Sequence, residues 1–252
     1  MVTRTDLAVD IQNLTFSYTE DAGVHFAGLN LQIPKGERFG IFGPNGAGKT
    51  TLMSLMTGLI SAESGIIKLL GQPIGIKKDK AVNKLFGFVP QDFSFYQELS
   101  PAENLEFFGA WAGLTKKQTD QRTTELLEVL GLQDVRNQPV EKFSGGMKRR
   151  VNLAIGVIHN PAILILDEPT VGVDVQTRHA IIDYLRKIND AGTTLVYTSH
   201  QLSEAEDLCN EVALIDDGQI IAQGELDSLM EKYGQPTLEG LFLNLTGKQY
   251  RD

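Results

Sequence analysis

Residues 38–51 run Arg38-Phe39-Gly40-Ile41-Phe42-Gly43-Pro44-Asn45-Gly46-Ala47-Gly48-Lys49-Thr50-Thr51. Arg38 to Phe42 reads as a short apolar strand, residues 43–48 as a Gly-rich turn, and the stretch from about Lys49 to Gly58 as a helix. Gly43 through Thr50 fit G-x-x-x-x-G-K-[ST], and a strand before with a helix after is the setting a phosphate loop needs. Glycines let backbone N–H groups close on a phosphate without a Cβ in the way. The helix that follows aims about half a positive charge at the same place. Lys49 is placed to reach the β- and γ-phosphates of a nucleotide, and Thr50 to hold Mg²⁺. A plain Gly-rich turn is the competing reading, and it leaves the strand, the lysine and the helix without a reason to be adjacent.

Further along, Ile163-Leu164-Ile165-Leu166-Asp167-Glu168 sets two acids after four apolar residues. A continuous apolar run fits a parallel strand buried on both faces, and α/β sheets place their ligands at the carboxyl ends of such strands. Asp167 is then placed to bind Mg²⁺, directly or through water, and Glu168 to polarise an attacking water. By itself a strand ending in an acid is a weak signal. Together with the phosphate loop it is a strong one.

Outward from these two motifs the chain alternates strands and helices, which predicts an α/β core. Leu7 to Phe16 and Gly28 to Ile33 alternate in polarity and read as β, with a turn at Pro34-Lys35-Gly36-Glu37. Gly65 to Leu70, Lys84 to Val89 and Thr193 to Thr198 read as strands. Val212 to Ile215 and Gln219 to Ala222 flank Asp217-Gly218, a hairpin signal. From about Leu99 to Leu130 the pattern is helical. Ser100-Pro101 with Glu103 marks a helix start, and Gly131 marks a stop. The block from about 92 to 145 reads as a helical insertion, and it carries Phe93, Phe95, Tyr96, Phe107, Phe108 and Trp111. There are more aromatics than so short a block needs for its own core, so at least two are expected to face solvent. Near the end, Leu238, Leu241, Phe242 and Leu245 follow helical spacing. The expected organisation is a domain over 1–230 and a short tail helix within 231–252, docked on its own domain.

With 252 residues the chain suits one large domain or two small ones. Its net charge of −9 argues against the long-range attraction to phosphate backbones on which nucleic-acid binders rely. The basic run Lys148-Arg149-Arg150 is expected to decorate a helix start and a solvated face. The lone cysteine, Cys209, cannot form an internal bridge and is expected to be a small buried apolar residue, which fits a reducing compartment. No secretory h-region stands at the start and nowhere do 18 apolar residues run together, so a membrane role is expected to need another chain for the spanning part.

Between the two motifs lies Phe143-Ser144-Gly145-Gly146-Met147. Ser144 is a helix cap, and Gly145 and Gly146 expose the first N–H groups of the helix. This segment resembles the signature, usually written LSGGQ, of the ATP-binding subunits of ABC transporters. The match departs from it at both ends, with Phe143 for Leu and Met147 for Gln. The run Ser-Gly-Gly-Met-Lys-Arg-Arg is similar to an exporter branch of the family, one that moves drugs, ions or polysaccharides. The resemblance runs from about Leu7 to Gly224 with the motifs in the family's order.

It implies the ABC ATPase fold: a parallel α/β core, a small antiparallel β part and a helical insertion. It implies ATP and Mg²⁺ as ligands, with ATP sandwiched between two copies, or between paired subunits, each supplying Ser144, Gly145 and Gly146 to the other's nucleotide. Gln91 resembles the glutamine that links metal and attacking water to the insertion, and Val173-Asp174 the loop that crosses the dimer interface. His200 looks like the histidine on the γ-phosphate, and Tyr18 like the aromatic that stacks on adenine. The expected function is ATP hydrolysis powering export through a separate membrane permease, with the chain peripheral on the cytoplasmic face. Two rivals differ in kind. A soluble ABC ATPase working on ribosomes or DNA usually carries two such domains or a long coiled coil, and neither fits here. A nucleotide kinase would leave Ser144-Gly145-Gly146 and His200 without a role.

Overall fold

The computed structural model of the chain describes residues 6–18, 25–75, 82, 84–199 and 201–247. In chain order the strands are β1 (Leu7–Ser17), β2 (His25–Pro34), β3 (Arg38–Phe42), β4 (Ser64–Leu69), β5 (Gln72–Pro73), β6 (Phe86–Val89), β7 (Ile163–Asp167), β8 (Thr194–Thr198), β9 (Glu211–Asp216) and β10 (Gln219–Glu225). The helices are α1 (Lys49–Met56), α2 (Pro101–Trp111), α3 (Lys116–Val129), α4 (Gly145–Val157), α5 (Val175–Asp190), α6 (Leu202–Leu208), α7 (Leu226–Tyr233) and α8 (Leu238–Thr246). One sheet runs β10-β9-β3-β8-β7-β6 and the other β2-β1-β4-β5. The first is parallel from β6 to β9, with β10 returning antiparallel through the hairpin. Asp217 and Gly218 both take positive φ there, as a two-residue hairpin turn of matching twist requires. The second sheet is antiparallel throughout. This is the mixed α/β architecture expected from the sequence.

Side chains of the parallel strands point alternately to two cores, as strand geometry dictates. Ile163, Ile165, Val196, Ala213 and Ile215 join α1 and the antiparallel sheet in one cluster. Leu164, Leu166, Tyr197, Val212 and Leu214 join the helices on the opposite face in the other. Both faces of β7 and β8 are thus covered, and every residue of each is buried. That double burial is why these strands read as unbroken apolar runs.

The helical block between β6 and α4 packs on the second core through Leu105, Leu126, Leu127 and Leu130. Ser100 and Glu103 form a capping box at the start of α2, and Gly131 follows α3 in a left-handed conformation. The tail helix α8 buries Leu238 and Leu241 in the same core, Phe242 is buried as well, and the helix's first N–H, at Leu238, donates to the Glu206 carboxylate at 3.0 Å. Cys209 is buried, and burial pushes its thiol well up. No described helix is long and apolar enough to cross a membrane.

Candidate active site at the carboxyl end of the parallel sheet

The phosphate loop leaves β3 between β8 and β9, where a neighbour is never far. A Cβ on Gly43 would lie 2.1 Å from the Ile215 carbonyl oxygen of β9, so only glycine fits. Gly48, the residue before α1, has φ 109°, a region that side chains with a Cβ rarely occupy. Lys49 opens α1 and folds back over the loop. Its Nζ donates to the carbonyls of Gly43 at 2.6 Å and Pro44 at 3.1 Å. Burial lowers the Lys49 pKa, and the negative charges of Glu168 and Asp167 work in the opposite direction. The buried Lys49 ammonium is thus kept at the loop by two carbonyls and by the field of two nearby carboxylates. Thr50 is exposed beside it, while Thr51 is buried.

The two acids sit where β7 ends, both almost wholly buried. Asp167 accepts a hydrogen bond from the Thr198 hydroxyl of β8 at 2.8 Å. Glu168 has φ 51°, unusual for a residue with a long side chain. Its backbone N–H donates to Thr198, to the hydroxyl at 3.1 Å and to the carbonyl at 3.2 Å. Such a conformation costs on the order of 1–3 kcal/mol and persists only where the surroundings over-determine it. Here the neighbouring strand does so. The side chain of Gln91, just past β6, donates from Nε2 to Glu168 Oε2 at 2.8 Å.

The loop after Glu168 is fastened by a second buried acid. Glu204 of α6 accepts hydrogen bonds from Thr170 at 2.8 Å, from the Tyr197 hydroxyl at 2.6 Å and from the Ser199 hydroxyl at 2.5 Å. Burial, then the Glu204 charge, raises the Tyr197 pKa well above the usual phenol value. Three hydroxyl donors to one carboxylate make a satisfied polar cluster under the site.

Asp167, Glu168, Gln91 and Lys49 are therefore brought together. The Tyr18 ring is 46% exposed and stands edge-on to Phe16, with its hydroxyl 3.5 Å from that of Thr51 at the phosphate-loop helix. Ser144 caps α4 by accepting from the Met147 N–H at 3.3 Å. Gly146 packs beside Thr177 of α5, close enough that a Cβ would sit 3.2 Å from its hydroxyl. Asp174 caps α5. His200 lies outside the described residues. At this end of β7 the side chains beside Asp167 offer hard oxygens, the carboxylates of Asp167 and Glu168 and the Thr198 hydroxyl among them. No group of three or more His, Cys, Asp or Glu gathers to hold a metal among the described residues. That sparse oxygen set suits Mg²⁺, which keeps several waters and binds through one or two carboxylates plus substrate phosphates.

One expectation is corrected. Lys148-Arg149-Arg150 is not a solvated basic face, because Arg149 is buried and Arg150 donates to the Leu130 carbonyl at 2.8 Å. Arg149 donates to the Gln91 carbonyl at 2.6 Å. The pattern gave no sign of this, since a charge run on a helix reads the same whether its neighbours are water or carbonyls. Thr198 and Glu204 were equally silent.

Comparison with known proteins agrees with this geometry. The family model described as ABC transporter matches residues 26–171. The chain is 43% identical over 211 residues to the linearmycin resistance ATP-binding protein LnrL of Bacillus subtilis, covering 84% of this chain and 68% of the relative. It is 40% identical over 203 residues to the Nod factor export ATP-binding protein I of Cupriavidus metallidurans, covering 81% and 67%. The chain thus spans about two thirds of the length of these curated relatives. Among solved structures it resembles an ATP-binding subunit of an ABC transporter at 25% identity and a TM-score of 0.86, covering 95% of this chain and 99% of the other. It also resembles an ATP-binding cassette solved as a dimer in a post-hydrolysis state with ADP and Pi, at 26% identity and a TM-score of 0.79, covering 86% and 98%. The matched model, the level of identity and the assembled phosphate site place the chain in the ABC transporter family, as one of its ATP-binding, ATP-hydrolysing chains.

Proposed function

We propose that the chain powers export of a substrate through a separate membrane permease, with Glu168 as the general base for hydrolysis. The observation that carries the catalytic part is the contact of Gln91 with Glu168 beside Asp167 and Lys49. Lys49 and the loop N–H groups of Gly46, Ala47 and Gly48 hold the β- and γ-phosphates. Pro44 and Asn45 shape the loop, and Thr51 follows on the helix. Thr50, Asp167 and Gln91 would hold Mg²⁺, which when bound neutralises phosphate charge as the leaving group departs. Glu168 takes a proton from water as the water attacks the γ-phosphorus, and Gln91 orients that water. Tyr18 offers a ring face to adenine, and His200 completes the γ-phosphate contacts.

Ser144, Gly145 and Gly146 present free helix N–H groups that suit a phosphate from a second copy. The composite site would form on ATP-driven dimerisation, and the permease would receive the change through the helical block. Export, rather than uptake, is supported by the names of the relatives. The chain would then sit on the cytoplasmic face of the cell membrane, held there by the permease. Size-exclusion of Glu168→Gln with Mg-ATP tests the shared site: an ATP-dependent dimer is expected, and a monomer at every concentration would overturn it. ATP-dependent accumulation in inverted vesicles, with permease and chain co-expressed, tests the direction.

A further inference from the structure

We propose that Arg149 is a positioning residue for hydrolysis, holding the Gln91 backbone, the Phe93 ring and the Val171 carbonyl in one arrangement. The proposal rests on the roles given above to Gln91 and Glu168. Arg149 lies in the second turn of α4, and it is only 6% exposed. One guanidinium N–H donates to the Gln91 carbonyl at 2.6 Å, and another reaches the Val171 carbonyl at 3.4 Å. The guanidinium carbon lies 4.8 Å from the centroid of the Phe93 ring. Two segments far apart in sequence, at residues 91–93 and at Val171, therefore meet on one planar cation. Burial lowers the Arg149 pKa, and the charges of Glu168 and Asp92 oppose that shift. The side chain stays charged in any case.

Asn152, one turn along the same face of α4, supports the same segment. Its amide donates to the Pro90 carbonyl at 3.0 Å and accepts from the Ser94 N–H at 3.4 Å. The loop from Pro90 to Ser94 is thus held by α4 on both sides of Gln91. Gln91 in turn bonds Glu168 through its side chain. Behind the acid, the Val171 N–H donates to the Glu168 carbonyl at 3.3 Å. Arg149 therefore touches both supports of Glu168, the Gln91 loop in front and the Val171 loop behind. Ser144, which starts α4, belongs to the face proposed above for a second copy, and Val171 is partly exposed. Movement of α4 at that face would carry the Gln91 loop with it. A lysine cannot replace this device, because a single ammonium has no planar fork to divide between two carbonyls and no plane to lay on a ring.

The test is a double-mutant cycle on the full chain, with Arg149→Lys, Gln91→Ala and the pair. Steady-state ATPase, ATP affinity by calorimetry and Tm are measured for each. Arg149→Lys should lower kcat about tenfold while leaving KM and ATP affinity within about threefold. Because Arg149 acts in large part through the Gln91 loop, the pair should lose clearly less than the product of the two single losses. A pair whose loss equals the product of the single losses would overturn the proposal, and so would normal kcat in Arg149→Lys or a loss confined to KM. Wild-type turnover in Gln91→Ala would overturn the role of Gln91 and the proposal with it. If Arg149→Lys does not fold, Phe93→Leu removes the ring face from a half-exposed position. It should lower kcat about threefold, again with clearly less than the product of the single losses in the Gln91→Ala background, and wild-type turnover or full additivity would overturn the proposal.

Discussion

Aromatic side chains are used in opposite ways in two regions of this molecule. Under the phosphate site Phe39, Phe42 and Tyr197 are wholly buried between the layers. In the helical block Trp111 is 72% exposed, Phe107 46%, Tyr96 43% and Phe93 36%. Their partners are largely one another. Phe93 stacks on Phe95 at 5.4 Å, and Phe107 meets Tyr96 at 5.0 Å and Phe108 at 5.2 Å, edge to face. Only Phe95 and Phe108 of the set lean on the core. The expectation that at least two of the six face solvent is met by the four. Burial under the site fixes the strand ends and the charges on them. Exposure in the block leaves apolar surface available to another chain, and such patches mark interaction sites. Phe93 of this surface stands two residues from Gln91, whose side chain bonds Glu168, so the permease docking proposed above would have a short route to that carboxylate.

The contrast can be broken from either side. The largest effect should come from Glu168→Gln, which keeps the shape and loses the base, so kcat should fall about 10²–10⁴-fold while ATP still binds. Equal turnover would remove Glu168 from the mechanism. Next, Phe42→Ala opens a cavity under the site and should cost about 3–5 kcal/mol in denaturant unfolding. A smaller loss would mean that the layers close over the gap. Lys49→Ala removes the buried cation from the phosphates and should weaken ATP binding about hundredfold by calorimetry, the weight of one or two charge-assisted hydrogen bonds. Unchanged affinity would place the nucleotide elsewhere. The smallest effect on the chain itself is expected for Trp111→Ala, within about 0.5 kcal/mol of wild-type stability. The same variant should lose capture of the co-expressed permease. Normal capture would mean that the exposed aromatics serve something other than docking, and the comparison would have to be redrawn.

Local chemistry made much of this protein legible from its residues in order. The loop from Gly43 to Thr50, the Asp217-Gly218 turn and the Ser100–Glu103 capping box each depend on neighbours a few positions away, so a short stretch of sequence contains the whole cause. The apolar run before Asp167 works likewise, because a strand buried on both faces must be apolar at every position. Glu168 was recognised as an acid at a strand end, but its positive φ was not, since the hydrogen bonds that impose it come from Thr198 on another strand. Arg149 was misread for the same reason. Nothing near it in sequence shows that Gln91, Phe93 and Val171 converge on its guanidinium. Which aromatics lie outside was equally beyond the pattern, because burial is decided by what packs against a helix and not by the helix. The sequence by itself determined the loop, the acids and the strands that carry them. Only the tertiary structure decided how the acids are held, since those restraints join residues separated by a strand crossover and no local rule reaches across one.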